Sequence, residues 1–152
     1  MSARAACRLV DLGFTQVYDY VPGKAAWLGM GLPSEGSLDP AERVGAVAAR
    51  SLPEVGVGDL VRDVGLGSHE FAVVLDGEVV AGVVTRDALA GEAGRRVGDV
   101  LDPGPDTFRP SMTVAELRRY WEGNDERLAL VTTLHGEYLG AILRDEMAAR
   151  PA

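Results

Sequence analysis

One structural unit occurs twice in this chain of 152 residues, and the repetition constrains the fold more than any other feature. Residues 76–87 and 135–145 each combine a tight glycine turn, an apolar stretch and an Arg-Asp pair that opens a helix. Gly82 of the first copy aligns with Gly140 of the second, and matching positions lie 57 or 58 residues apart. A repeated unit usually stacks on its neighbour, because one copy alone cannot bury its apolar face. The sequence therefore predicts two stacked units with clefts between them, which favours a ligand-sensing module over an enzyme.

Composition and charge exclude several classes of protein. Fifteen Lys and Arg residues against 23 Asp and Glu residues give a net charge of −8, so we expect no binding to nucleic acid. No stretch approaches the ~18 apolar residues of a membrane span, and the N-terminus lacks the pattern of a signal peptide. The single cysteine, Cys7, cannot form an internal disulfide, which favours a reducing compartment. We therefore predict a cytoplasmic protein without membrane contact.

The pattern around the doubled unit predicts an α/β (α+β) fold. Repeat 1 is expected over residues 44–94 and repeat 2 over residues 95–149. Each has a lead-in segment (residues 44–49 and 97–101), a helix, two strands joined by a turn, and a closing helix. The strands are expected at residues 71–75, 79–85, 128–134 and 138–143, and the closing helices after Arg86 and Arg144.

The first helix of each repeat is predicted from spacing. Apolar residues at i, i+3, i+4 and i+7 predict an amphipathic helix over residues 57–64 of repeat 1. In repeat 2 the helix follows Thr113, and Glu116 three residues later completes a capping-box pattern. The residues before the repeats predict a helix over 2–12, a strand over 16–21 and a helix over 24–30. Residues 35–43 are expected to be a linker, and residues 1–34 a separate segment.

The doubled unit resembles a CBS domain, and two in tandem resemble a CBS pair, or Bateman module. Two features carry the resemblance. One is the helix–strand–turn–strand–helix order, and the other is the sequence Gly82-Val83-Val84-Thr85-Arg86-Asp87 at the end of the second strand. The resemblance implies two stacked βαββα-type repeats with pseudo-twofold symmetry and clefts between their sheets. It also implies regulation without catalysis, an adenine nucleotide such as AMP or ATP or S-adenosylmethionine as the ligand, and a homodimer.

The resemblance implies a set of nucleotide-binding residues, namely Thr85, Arg86, Asp87, Arg144, Asp145 and Glu146. Thr85 would contact phosphate near a helix N-terminus, and Asp87 or Glu146 would accept the ribose hydroxyls. Arg86 or Arg144 would neutralise the charge of the phosphate. The family places an acid three residues after a Thr or Ser; here Ala88 holds that position in repeat 1, and in repeat 2 Leu143 stands in place of the Thr. The sequence thus predicts unequal sites, and a role of Asp87 and Asp145 as helix N-caps remains an alternative.

Residues 2–33 resemble the C-terminal part of a rhodanese domain. The residues that carry this resemblance are Ala5, Ala6, Leu9, Gly13, Phe14, Val17, Tyr18, Gly23, Lys24, Trp27, Gly31, Leu32 and Pro33. A truncated helix–strand–helix remnant of that fold is expected here. Active rhodaneses carry a nucleophilic Cys in a loop before the first of these helices, a position that Cys7 does not match. We therefore expect no catalytic residue in the chain. An alternative function is the C-terminal part of a CBS-regulated sulfurtransferase, and a second is a dimerisation module without ligand.

No motif predicts another kind of site. His69 and His135 are the only histidines, and neither has the Cys or His spacing of a zinc site, so no metal is expected. Nucleotide-binding glycine loops and nucleophile elbows are absent from the sequence. The candidate site is therefore limited to the ends of the strands in the doubled unit.

Overall fold

Two three-stranded sheets form the centre of the molecule. The computed structural model describes residues 3–18, 20–34 and 41–149. The first sheet has the order β1-β2-β3, with strands Glu54–Gly56, Phe71–Asp76 and Val79–Thr85, and the second has the order β4-β5-β6, with strands Thr107–Phe108, Leu128–Thr132 and Tyr138–Leu143. In each sheet the short first strand pairs parallel to the middle strand, and the last two strands form an antiparallel hairpin.

The hairpins form because their sequences are apolar strands around a turn. Gly77 and Gly136 take positive φ angles of 64° and 83°, which the tight turns require and which only glycine adopts without strain. The middle strands β2 and β5 are buried on both faces, since each sheet packs on the other repeat and on its own helices. The contact between the two sheets contains Val73, Leu75, Val83, Leu128, Leu130, Tyr138 and Ala141. The predicted stack of two repeats is therefore present.

The described chain contains six helices, and those of the two repeats differ. The helices are α1 (Ala3–Asp11), α2 (Gly23–Gly29), α3 (Val44–Val47), α4 (Arg86–Leu89), α5 (Val114–Glu122) and α6 (Arg144–Ala148), with 3-10 turns at Val61–Asp63 and Val97–Asp99. The capping box at the start of α5 is formed: the Glu116 backbone N–H donates to the Thr113 hydroxyl at 3.1 Å, and the Thr113 N–H donates to the Glu116 carboxylate at 2.8 Å. Leu117 and Trp121 then bury the apolar face of the helix.

The helix predicted over residues 57–64 is wrong. The Asp59 carboxylate accepts the Gly56 backbone N–H at 2.7 Å and closes a turn, so that only the 3-10 turn Val61–Asp63 follows. Glycines at 56, 58, 65 and 67 lower the helix propensity of the region further. The spacing of 57 residues between the repeats predicts that Val57 matches Val114. In the fold Val61 occupies that position, because Val61 and Val114 each directly follow a bridge to the other repeat's lead-in. Repeat 1 thus has a turn where repeat 2 has α5.

The lead-in segment of each repeat packs on the other repeat. Residues 44–49 pack on repeat 2, where Val44 is fully buried among residues of α5, β5 and β6, and Ala49 exchanges two hydrogen bonds with Ala141 of β6. Residues 97–102 pack on repeat 1 in the same way: Val97 is fully buried there, and Asp102 exchanges two hydrogen bonds with Val83 of β3. The exchange ties the repeats together through backbone pairing as well as through the contact between the sheets.

The positions where equivalent residues touch each other mark the pseudo-twofold axis, because only residues at such an axis meet their own counterparts. At one end Val79 of β3 forms a bridge with Glu137 beside β6. At the other end the Glu70 carboxylate, just before β2, lies 2.7 Å from the guanidinium of Arg127, just before β5. The strand ends that carry the predicted site lie at this second end.

The segment before the repeats contains the two predicted helices, now bounded as α1 and α2. The strand predicted over residues 16–21 is wrong for its described residues, which are irregular at 16–18 and 20–21. A parallel strand needs a neighbour for its backbone groups, and none pairs with these residues in the described chain. Residue 2, residue 19 and residues 35–40 of the predicted linker lie outside the described residues.

Candidate functional site

The strand ends of both repeats surround a cleft at the pseudo-twofold axis, which we call the axial cleft. It consists of two adjoining cavities of about 290 and 200 Å³ that share Ser68, His69 and Glu70. The larger cavity is completed by Thr85, Arg86 and Asp87 of repeat 1, and the smaller by Leu52, Phe71, Arg127, Leu143 and Asp145. Four predicted site residues therefore lie around one cleft.

Thr85 caps a helix as well as lining the larger cavity. Its hydroxyl accepts a hydrogen bond from the Ala88 backbone N–H at 3.2 Å, which makes it the N-cap of α4. The expectation that Asp87 and Asp145 are the N-caps is wrong, since each is the second residue of its helix and the caps are Thr85 and Leu143. The Asp87 carboxylate is consequently not used as a cap and lies at the wall of the larger cavity. An alcohol and a carboxylate at this wall can bind the hydroxyl groups of a sugar.

The guanidinium groups of Arg86 and Arg144 contact backbone carbonyls. Arg86 Nη2 donates to the Gly67 and His69 carbonyl oxygens at 2.9 and 3.0 Å, and Arg144 Nη1 donates to the Asn124 carbonyl at 3.0 Å. These bonds fix the loops that precede β2 and β5. Arg86 also lines the larger cavity, whereas Arg144 lines neither part of the axial cleft.

Arg127 is the cation of the cleft that the sequence analysis missed. Its Nη1 lies 2.7 Å from the Glu70 carboxylate, and its Nη2 lies 3.2 Å from the Asp145 carboxylate. The side chains of Arg127 and Glu70 are each 52% exposed, so both remain accessible to a ligand. A signal was present in the sequence: residues 70 and 127 stand at matching positions before matching strands and carry opposite charges.

The two halves of the axial cleft are chemically unequal. The larger has a hydroxyl and a carboxylate at the end of β3, whereas the smaller has the apolar Leu143 at the end of β6. Glu146 is exposed on α6 and lines neither half. The larger half therefore offers the polar groups that a sugar or phosphate needs, and the smaller half offers Arg127.

The described residues contain neither a metal-binding cluster nor a membrane-spanning helix. No group of three His, Cys, Asp or Glu side chains comes together there in a way that would hold a metal ion. None of the helices in this part of the chain has the length and apolar character needed to cross a membrane.

Solved structures with the same fold are CBS-domain pairs. The CBS domains of a transcriptional regulator from Streptococcus pneumoniae superpose with a TM-score of 0.64 at 18% identity, over 71% of this chain and 98% of theirs. CBSX2 in complex with AMP matches with a TM-score of 0.61 at 21% identity, over 70% of this chain and 93% of its own. The fold of the two repeats is therefore that of a CBS pair.

A third similar structure is longer than this chain. The cytosolic domain of the Mg²⁺ channel MgtE in complex with ATP matches with a TM-score of 0.62 at 18% identity over 70% of this chain, and the match spans 47% of that domain. This chain thus covers about half of the length of that relative. No protein-family model matches the sequence, and no curated protein matches it either.

Proposed function

We propose that this protein is a non-catalytic regulatory module that binds an adenine nucleotide in the axial cleft. The observation that carries the proposal is the cleft itself, where Thr85 and Asp87 line the larger half and Arg127 lines the adjoining smaller half. Support comes from two structures of the same fold, one in complex with ATP and one in complex with AMP. AMP and ATP are the first ligands to test, and S-adenosylmethionine is the third.

Each group has a role that follows from its chemistry. Asp87 accepts hydrogen bonds from the ribose hydroxyls, and Thr85 donates its hydroxyl hydrogen to phosphate while its oxygen still caps α4. Arg127 pairs with phosphate, since a guanidinium donates in a planar fork that suits phosphate oxygens. Arg86, Arg144, Asp145 and Glu146 stay in the predicted set, and the contacts of Arg86 and Arg144 favour loop positioning as their role.

Calorimetry and thermal unfolding with AMP, ATP and S-adenosylmethionine test the proposal. A ligand at 100 times its dissociation constant stabilises the folded state by about 2.7 kcal/mol, provided that it does not bind the unfolded chain. We expect Asp87→Asn and Arg127→Gln to weaken binding. Asp11→Asn and Arg8→Gln are matched controls on α1, outside the cleft, and should bind as the parent does.

The outcomes separate the alternatives. If none of the three ligands stabilises the protein, nucleotide sensing is wrong and the dimerisation module without ligand is favoured. If a ligand binds but Asp87→Asn and Arg127→Gln leave its affinity unchanged, the site assignment is wrong. The homodimer also remains a prediction, and sedimentation velocity at several concentrations would check it.

The relation of residues 2–33 to rhodaneses remains a prediction as well. Helices α1 and α2 lie where that resemblance expects helices, and Cys7 on α1 is exposed. The sulfurtransferase alternative requires that the chain work with a nucleophile outside it, because Cys7 does not match the catalytic position. We expect no thiosulfate sulfurtransferase activity from this chain, and activity that disappears in Cys7→Ser would contradict that expectation.

A further inference from the structure

A third cavity, of about 390 Å³, lies between α2 and repeat 2 and shares no residue with the axial cleft. We call it the α2 groove. It is larger than either half of the cleft and within the range of about 300–1,000 Å³ that is usual for small-molecule sites. The nucleotide proposal makes no use of it.

The walls of the α2 groove are mostly apolar and closely packed. Ala25, Ala26 and Met30 line one side, and Pro110 and Leu139 line the other. The two sides cannot approach each other freely, because α2 already rests on repeat 2: a methyl group added at Gly29 would lie 2.4 Å from the Pro110 carbonyl oxygen. The groove is therefore preformed.

Two opposite charges stand in the lining of the groove, and both are held by Thr133. Arg109 donates from Nη1 to the Thr133 carbonyl oxygen, and also to the Thr132 hydroxyl at 3.4 Å. The Thr133 hydroxyl donates to the Glu137 carboxylate at 2.9 Å. A single residue thus fixes a guanidinium and a carboxylate beside the same apolar space.

These two charges do not neutralise each other. Within the described chain, neither Arg109 nor Glu137 forms an ion pair, whether with the other or with a third side chain. A guanidinium forms strong, often bidentate hydrogen bonds with a carboxylate, and a carboxylate forms charge-assisted hydrogen bonds with an ammonium. A ligand with a carboxylate and an ammonium on one carbon, and an apolar chain beside them, satisfies both charges and the walls together.

We propose that the α2 groove binds a free apolar α-amino acid. Its carboxylate pairs with Arg109, its ammonium pairs with Glu137, and its side chain lies between Ala26 and Leu139. A purely apolar ligand would leave both charges without an ionic partner, and a simple carboxylic acid would leave Glu137 without one. The site is independent of nucleotide binding in the axial cleft.

Titration calorimetry with L-leucine, L-methionine and L-phenylalanine tests the proposal. The same protein is titrated with 4-methylpentanoate and 3-methylbutylamine, which lack the ammonium and the carboxylate of leucine respectively. We expect at least one amino acid to bind about tenfold or more tightly than an analogue of the same chain length, since a hydrogen bond to a charged group contributes enough for that factor.

Variants with matched controls locate the site. Arg109→Gln and Glu137→Gln should each weaken amino-acid binding about tenfold. Glu137→Gln keeps an oxygen that can accept the Thr133 hydroxyl, so the turn is preserved. Arg96→Gln is the control for Arg109, because Arg96 Nη1 also donates to a backbone carbonyl, that of Gly58. Glu92→Gln is the control for the acid, and neither control should change the affinity.

Three results would overturn the proposal: no saturable binding of any of the three amino acids, equal binding of the analogues, or unchanged affinity in both Arg109→Gln and Glu137→Gln. Ala26→Trp, which fills the groove, gives a further readout and should abolish binding in a protein that still unfolds cooperatively. Failure of AMP, ATP and S-adenosylmethionine to bind would refute the nucleotide proposal and would leave this one standing.

Discussion

Replacing Gly82 with alanine should break the clamp that holds the lead-in of repeat 2 on repeat 1. A Cβ atom at Gly82 would lie 2.3 Å from the Asp102 carbonyl oxygen and 2.8 Å from the Leu101 Cδ1 atom. The first of these contacts is with backbone, so a change of rotamer cannot relieve it. The segment 97–102 must therefore move away from β3.

The expected cost follows from what that movement breaks. Val83 and Asp102 exchange two backbone hydrogen bonds, at 2.8 and 3.0 Å, and the loss of each costs about 1 kcal/mol. Overpacking adds about 1–3 kcal/mol. We expect the free energy of unfolding of Gly82→Ala to fall by about 3–5 kcal/mol, a large part of the 5–15 kcal/mol that is usual for a folded domain.

Urea unfolding measures the change, and Gly94→Ala is the matched control. Nothing lies within 4 Å of a Cβ atom at Gly94, and its φ angle is not positive. Alanine there restricts the unfolded chain and should stabilise the protein by about 0.4–1 kcal/mol. Hydrogen exchange gives a local readout: the amide of the fully buried Val97 should lose protection in Gly82→Ala only.

Equal stability of Gly82→Ala and Gly94→Ala would refute this reasoning. It would mean that packing of the lead-in does not depend on close approach to β3. The presence of glycine at this position in both repeats would then need another explanation. Loss of stability without loss of protection at Val97 would contradict the mechanism, since the segment would then have stayed in place.

Two further predictions concern single side chains. The Tyr138 hydroxyl is buried and has no hydrogen-bond partner among the described residues, and burial raises the pKa of this side chain to about 12. Tyr138→Phe should therefore stabilise the protein by about 1 kcal/mol, as measured by urea unfolding. A loss of stability would contradict this account. The hydrogen bonds from the Thr113 backbone N–H and hydroxyl lower the pKa of Glu116 from 4.5, so its contribution to stability is complete above pH 4.5 and is lost as the pH falls through the lower, folded value. Unfolding curves measured below pH 4.5 should show this loss in the parent and not in Glu116→Gln, and identical pH profiles would exclude it.

The strands of the two hairpins and helix α5 were predictable because local sequence decides them. An apolar run on each side of a glycine turn specifies the hairpins, and the pair Thr113 and Glu116 specifies the start of α5. The helix predicted at residues 57–64 failed because periodicity does not register a competing turn. There the Asp59 carboxylate binds the Gly56 backbone N–H, and Val61 is buried and Val57 and Val64 are partly buried without a helix.

The candidate site was only partly predictable. The family resemblance led to Thr85 and Asp87, which lie at the larger half of the cleft, but it also led to Arg144 and Glu146, which line neither half. Arg127 was missed because its partners Glu70 and Asp145 lie 57 and 18 residues away along the chain. Only the stacking of the repeats brings Glu70 to it, and the only signal of this pairing is the opposite charge at matching positions of the two repeats. The α2 groove also joins residues of two distant segments.

The exchange of lead-in segments makes the tandem equivalent to a dimer whose two subunits have been joined end to end. Neither half of the chain contains the segment that covers its own sheet, because Val44 belongs to the core of the second half and Val97 to the core of the first. A fragment with one repeat would expose an apolar face, and two separate fragments would each supply what the other lacks. The connection between α4 and residue 97 therefore makes the assembly of the halves intramolecular and independent of protein concentration.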